Sequence, residues 1–226
     1  RAVATTFGAP VVVLAGAGTG KTRAITHRIA HGALSGQLRA EHTLAVTFTT
    51  KAAGELRHRL QALGVPRVQA RTFHSAALRQ LSYFWPRVYG TELPEVIGNS
   101  FGLVAEAARP LGVELNTPLL RDLVGEVGWT KASQVAPDRY AEIADRTGRS
   151  VAGLNPEQVA QVVLRYEQVK KRRAVIDFDD ILLCTIALLA EHSEVAEQVH
   201  HQYRHFTVDE FQDVSPVQRT LLELWL

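Results

Sequence analysis

Apolar positions along the chain fall into two kinds of pattern. Short β-branched or apolar runs predict buried strands at VVVLA (11–15), LAVTF (44–48) and VQARTF (68–73). Between them, apolar residues recur at helical spacing. Ile25 and Ile29 lie four apart in TRAITHRIAHGAL (22–34), and Leu56, Leu60 and Leu63 form a stripe in KAAGELRHRLQAL (51–63). Gly64 and Pro66 close that second helix. HSAALRQLSYFW (74–85) reads as a third helix. Strand–helix alternation of these lengths predicts a parallel sheet built from βαβ units.

From Thr91 to about Val175 the pattern is helical, with turn signals and no convincing strand. FGLVAEAARPLG (101–112), PLLRDLVGEVG (118–128) and PEQVAQVVLRYEQVKKRR (156–173) carry it. α/β character then returns: FDDILLCTIALLAEH (178–192) as helix, HFTVD (205–209) as strand, SPVQRTLLELWL (215–226) as helix. The expected architecture is therefore an α/β lobe formed by 1–90 and 176–226, interrupted by an all-helical insertion at 91–175. The last strand is expected to rejoin the first sheet.

Composition changes this picture little, except in charge. At 46% hydrophobic and 21% charged, the 226 residues support a folded core. Cys184 is the only cysteine, so no internal disulfide forms and a reducing, cytoplasmic setting is expected. The apolar run ILLCTIALLA is too short to cross a bilayer, and no signal peptide is visible. The chain opens on Arg1 and holds no Met, so its natural start is expected to lie upstream. Residues 1–90 hold 12 Lys+Arg against two acids, Glu41 and Glu55; residues 91–226 hold 13 against 21. A basic first segment suits a polyanion partner, unless acids from the second segment fold back onto it.

Two segments carry candidate chemistry. AGAGTGKT (15–22) sits between strand and helix and follows G-x-x-x-x-G-K-[ST], with Ala15 in the first glycine position. Gly16, Gly18 and Gly20 let successive N–H groups, with those of Ala17 and Thr19, line a phosphate cradle. The following helix adds its positive end. Lys21 would reach the β- and γ-phosphates of ATP, and Thr22 would hold Mg²⁺. Such a loop needs a second metal anchor at the end of a neighbouring strand, and VDEFQDVSPVQ (208–218) supplies it. Asp209 would bind Mg²⁺ directly or through water, Glu210 would act as general base, and Gln212 would orient the water or sense the γ-phosphate. An acidic helix start would also explain Asp209 and Glu210, since acids favour that position.

Between these segments lie TFTTKAAGELRHRL (47–60), ARTFHSAALRQL (70–81) and IDFDDILL (176–183), in that order. With AGAGTGKT and VDEFQDVSPVQ they resemble superfamily 1A DNA helicases of the UvrD/Rep/PcrA type. The resemblance covers 1–90 and 176–226 by motif, and the helical insertion by position. It implies a RecA-like lobe (1A) interrupted by a helical subdomain (1B), and ATP-driven 3′→5′ movement on single-stranded DNA or single/double-strand junctions in repair or replication. It also implies a second RecA-like lobe beyond Leu226. The 226 residues alone are accordingly expected to be inactive.

The TFTTKAA segment, with Thr50 where the family has Asn, implies DNA contacts by Phe48, Thr49 and Thr50. Phe48 also reads as a core aromatic ending its strand. In RTFHS, with Arg71 where the family has Gly, Thr72 and His74 look like phosphate contacts. His74 equally reads as a cap or an interior residue, and Arg71 as a phosphate contact or a solvated charge. KKRR (170–173) faces DNA or complements a helix dipole. Asp177 reads as a helix cap, as does Asn155 in LNPEQ, which mimics an adenine-reading motif. The family's adenine-reading glutamine is expected upstream of Arg1. The alternatives are the motor of a RecB/AddA-like helicase–nuclease, a nucleotide-gated DNA clamp without catalysis, and a small-molecule kinase. The pair Asp209–Glu210 argues against the clamp, and the TFTTKAA and RTFHS segments argue against the kinase.

Overall fold

The computed structural model describes residues 7, 9–14, 16, 18–112 and 114–226. Its elements run α1 (Lys21–Leu34), β1 (Thr43–Thr47), α2 (Thr50–Ala62), β2 (Gln69–Thr72), α3 (Phe73–Tyr89), β3 (Glu95–Val96), α4 (Phe101–Ala108) and α5 (Thr117–Ala132). Then follow α6 (Tyr140–Thr147), α7 (Pro156–Arg173), β4 (Val175–Ile176), α8 (Asp180–Glu191), α9 (Ser193–Gln202), β5 (His205–Val208) and α10 (Pro216–Trp225). No helix among the described residues is long and apolar enough to cross a membrane.

The chain forms two compact units. The first comprises 1–79, 188–214 and 222–226; the second comprises 80–187 and 215–221. The chain passes between them four times, within α3, α8 and α10 and between Val214 and Ser215.

The first unit holds a parallel sheet of order β2-β1-β5. Val46 of β1 lies opposite both Arg71 and Val208, and the Asp209 N–H extends the ladder to the Val46 carbonyl at 2.9 Å. The strand at 205–209 therefore does pair with the first sheet. All five residues of β1 are buried, as befits a central parallel strand. Ala45 and Ala70 belong to a core with Ile29, Leu56, Leu60 and Val68, which seats α1 and α2. Phe73 and Phe206 stack on either side of the buried Trp225, at 6.0 and 6.1 Å between ring centroids.

The expected strand at VVVLA does not form. Residues 11–14 have no ladder partner, and Val12 and Leu14 are 81% and 93% exposed; Ala15 lies outside the described residues. β-branched composition favours a strand only where a pleated surface receives it. Here the described sheet stops at β5.

The second unit is mainly helical. α7 packs against α4, α5 and α6 around Leu123, Tyr140, Val162 and Tyr166. Asn155 and Gln158 form a reciprocal capping box at the start of α7, so LNPEQ has a complete structural role. One expectation needs correction: 91–175 is not free of strand. Glu95–Val96 pairs in parallel with Val175–Ile176, a two-residue ladder too short to leave a sequence pattern.

A buried ionic cluster sits behind that ladder. Lys131 and Lys170, 7% and 3% exposed, converge on Asp177 and Asp180, with Glu167 at the margin. Tyr166 donates to Asp177 at 2.8 Å. Asp177 and Asp180 also cap one another's backbone N–H at 2.9 and 3.0 Å, so the expected cap is present. The KKRR reading changes accordingly: Lys170 is interior, and Arg172 and Arg173 pair with Glu106.

Candidate nucleotide and DNA site

Three parallel strands deliver their carboxyl ends to one edge of the sheet. Phe48–Thr50 follow β1, Phe73–Ser75 follow β2 and Asp209–Asp213 follow β5. In open α/β sheets this edge is where ligands bind.

The glycine loop enters α1 through Gly18 and Gly20, at φ 74° and 90°, conformations that side-chain-bearing residues resist. The Thr19 hydroxyl donates to the Gly16 carbonyl at 2.7 Å. Ala15 and Ala17, also expected in the cradle, lie outside the described residues. Lys21 and Thr22 open the first turn of α1, where unpaired N–H groups and the helix dipole favour an anion.

Lys21 and Glu210 are 189 residues apart in sequence, yet Lys21 Nζ donates to Glu210 Oε2 at 2.8 Å. Gln212 Nε2 donates to the same oxygen at 2.5 Å and reaches Asp213 at 3.4 Å. The Lys21 bond, then that of Gln212, holds the Glu210 carboxyl below its ordinary range, and the same bond raises the Lys21 ammonium. Glu210 adopts φ 51°, a left-handed conformation uncommon outside glycine and associated with functional turns. Sequence gives no sign of that strain.

Asp209 is the buried member of the pair, 8% exposed. Burial pushes its carboxyl up and the Glu210 charge adds to this, while the Glu210 N–H and Lys21 act the other way. Its Oδ1 accepts the Glu210 N–H at 3.1 Å. A buried carboxylate beside an acid is a hard oxygen donor that gains from a nearby cation, so Asp209 and the Thr22 hydroxyl suit Mg²⁺. The glycine loop and helix start suit the phosphates of ATP.

The expected DNA contacts occupy the same edge. Phe48 is half-buried, its ring 5.9 Å from Phe73 and tilted by 56°. Thr49 and Thr50 are exposed, and the Thr49 hydroxyl caps α2 by accepting the Ala52 N–H at 3.1 Å. Thr72 and Ser75 cap α3 reciprocally, each hydroxyl accepting the other's N–H at 3.1 Å. The spacing of Thr72 and Ser75 signals that exchange, which a search for phosphate contacts passes over. Burial pushes His74 down to about 4, so it is a neutral imidazole at pH 7.

A family model described as UvrD/REP helicase N-terminal domain matches residues 1–226. The chain is 47% identical to "ATP-dependent DNA helicase UvrD2" of Mycobacterium bovis, over 96% of this chain and 32% of that protein. It is 34% identical to "ATP-dependent DNA helicase PcrA" of Leuconostoc citreum and 31% identical to PcrA of Staphylococcus aureus strain Mu50. Each of these matches covers 99% of this chain and 30% of the relative. The chain thus spans about a third of the length of the relatives it matches.

Proposed function

Since the chain belongs to the UvrD/REP helicase N-terminal domain family, we propose that it is the first motor lobe of an ATP-dependent DNA helicase. In this reading the sheet-bearing segments 1–90 and 176–226 form a RecA-like lobe and 91–175 a helical insertion. The intact protein moves 3′→5′ on single-stranded DNA, in repair or replication. The observation that carries the reading is the 2.8 Å contact between Lys21 and Glu210, which unites the phosphate loop with the acidic motif.

The residues have distinct tasks. The loop N–H groups and Lys21 bind and orient the β- and γ-phosphates. Asp209 and Thr22 would hold Mg²⁺, which would neutralise phosphate charge there. Glu210 takes the proton of the attacking water. Lys21 donates to that carboxylate in the structure. Once the phosphates draw Lys21 away, Glu210 is released to accept a proton. Gln212, already on the same oxygen, keeps the carboxylate oriented. Phe48, Thr49, Thr50, Thr72 and His74 form the DNA-facing surface; a neutral His74 contributes a hydrogen bond rather than a charge.

Because the chain spans about a third of its relatives, the second lobe that closes over ATP is assigned to the remainder of the intact protein. The isolated 226 residues are expected to turn over little ATP. In the intact protein, Lys21→Ala should abolish DNA-stimulated ATP turnover and leave DNA affinity within a few-fold. Unchanged turnover would refute the assignment.

A further inference from the structure

Beyond the DNA contacts above, the outer strand of the sheet carries an arginine, Arg71, whose charge is opposed by those of Arg79 and Arg57. Arg71 sits on β2, which is an edge strand and pairs only with β1 among the described residues. Arg57 comes from α2, which packs on β2, and Arg79 from α3, which follows β2; both are exposed. Arg71 is half-buried; its Nε donates to the Gln69 side chain at 3.3 Å, which also accepts the Tyr203 hydroxyl at 3.0 Å. Arg57 Nε reaches the Ala53 carbonyl at 3.4 Å. None of the three arginines has a carboxylate partner among the described residues. The titratable groups that act on Arg71 are Arg79, the neutral Tyr203 phenol and Arg57, with no carboxylate among them.

That arrangement is unfavourable as it stands. A partly desolvated guanidinium with no counter-charge costs free energy, and two further cations add to the cost. Elsewhere in the chain, arginines beside acids pair with them: Arg59 with Glu55, Arg149 with Glu126, Arg173 with Glu106. Charge on an edge strand does discourage strand addition. One exposed charge suffices for that, and it does not require a half-buried arginine flanked by like charges. An anion with several oxygens relieves all three at once, and arginine's planar fork matches phosphate.

Position identifies the anion. Arg71, Val46 and Val208 form one row across the sheet, so Arg71 lies two strands, about 10 Å, from the strand that ends in Asp209. Phe48–Thr50 leave the strand between them, and Thr72 follows Arg71 directly. We propose that Arg57, Arg71 and Arg79 form a phosphodiester-binding site that extends the single-stranded DNA track around the outer edge of β2. The proposal rests on the DNA-binding reading above.

The test is the salt dependence of single-stranded DNA binding by the intact protein, without nucleotide. Each phosphate contact with single-stranded DNA contributes about 0.7 to the slope of log K against log salt. Arg57→Gln, Arg71→Gln and Arg79→Gln combined should lower the slope by about 0.7, the contribution of the one phosphodiester the site holds, and leave DNA-free ATP turnover unchanged. Arg71→Lys, which keeps the charge, should keep the slope, and Arg59→Gln should not alter it. An unchanged slope in the triple variant overturns the proposal. So does an affinity loss equal at every salt concentration, which marks a structural defect. If the unaltered protein itself binds DNA without salt dependence, the DNA-track reading fails, rather than the arginine site alone.

Discussion

Replacing Lys170 by Met perturbs the second unit at its most highly charged interior point. Lysine and methionine have similar helix propensity and length, so α7 itself is little affected. What changes is the charge: Asp177, Asp180 and Glu167 share Lys131 and Lys170 in the native chain, and would share Lys131 alone. Burial pushes the Asp177 carboxyl up, yet Lys131 and Lys170 more than offset this and hold it at about 2, against an ordinary 3.8. That gap is worth about 2 kcal/mol. Removing one member of a buried ion pair costs about 3–5 kcal/mol, because the remaining charge is left uncompensated. We therefore expect Lys170→Met to destabilise the second unit by about 3–5 kcal/mol at pH 7.

The pH dependence follows from the sign of the shift. A depressed carboxyl lends stability above its ordinary value, and that stability drains away as pH falls from about 4 towards 2. In Lys170→Met the Asp177 carboxyl loses one of the two cations that held it down and takes up its proton at higher pH. The gap between variant and native chain should shrink steadily from pH 7 to 3. Urea titration read through hydrogen exchange of α5 and α7 amides reports this unit by itself. A cost under 1 kcal/mol at pH 7, or one that stays constant down to pH 3, would refute the account.

Three further outcomes are expected. Glu210→Gln in the intact protein should cut single-turnover ATP hydrolysis by about 10²–10⁴ while nucleotide binding persists; hydrolysis and binding lost in equal measure would contradict the general-base role. Asn155→Ala should cost about 1 kcal/mol in the exchange protection of α7, through loss of the capping box. Burial holds His74 neutral down to about 4, so unfolding takes up a proton between about pH 6.5 and 4, and stability falls as pH drops through that range. His74→Gln should flatten that slope in acid unfolding curves, and an unaltered slope would place the imidazole in water.

The sequence made the sheet legible where its pattern reflects burial on both faces. LAVTF became the fully buried central strand, and HFTVD, half-buried along its length, pairs beside it in parallel. VVVLA carries an equally strong pattern without the corresponding strand, since composition records what a segment tolerates and not which neighbour receives it. Loop chemistry was legible through spacing: glycines at 18 and 20 set the positive φ angles that the phosphate cradle needs. The reciprocal caps at Thr72–Ser75 and Asn155–Gln158 follow equally local spacing. Convergence over long separations left no such trace. Nothing near Lys131 or Arg79 in the sequence indicates that the first meets Asp177 or that the charge of the second acts on Arg71.

The two acidic stretches, IDFDD and VDEFQD, show what separates a structural cluster from a reactive one. Each places aspartates after a short strand, and each attracts lysine from a distant part of the chain. In the first, Lys131 and Lys170 are almost wholly buried, and each contacts Asp177, Asp180 and Glu167. Releasing either would leave charge stranded in the interior, so the cluster resists exchange. In the second, Lys21 is 24% exposed and has one acidic partner, whose carboxylate is itself 37% exposed. Parting that pair leaves both groups within reach of water or phosphate, at the small cost typical of an exposed ion pair. In the proposed site, reactivity follows from a counter-charge that is able to leave, and that property lies in burial and partner number rather than in the order of the residues.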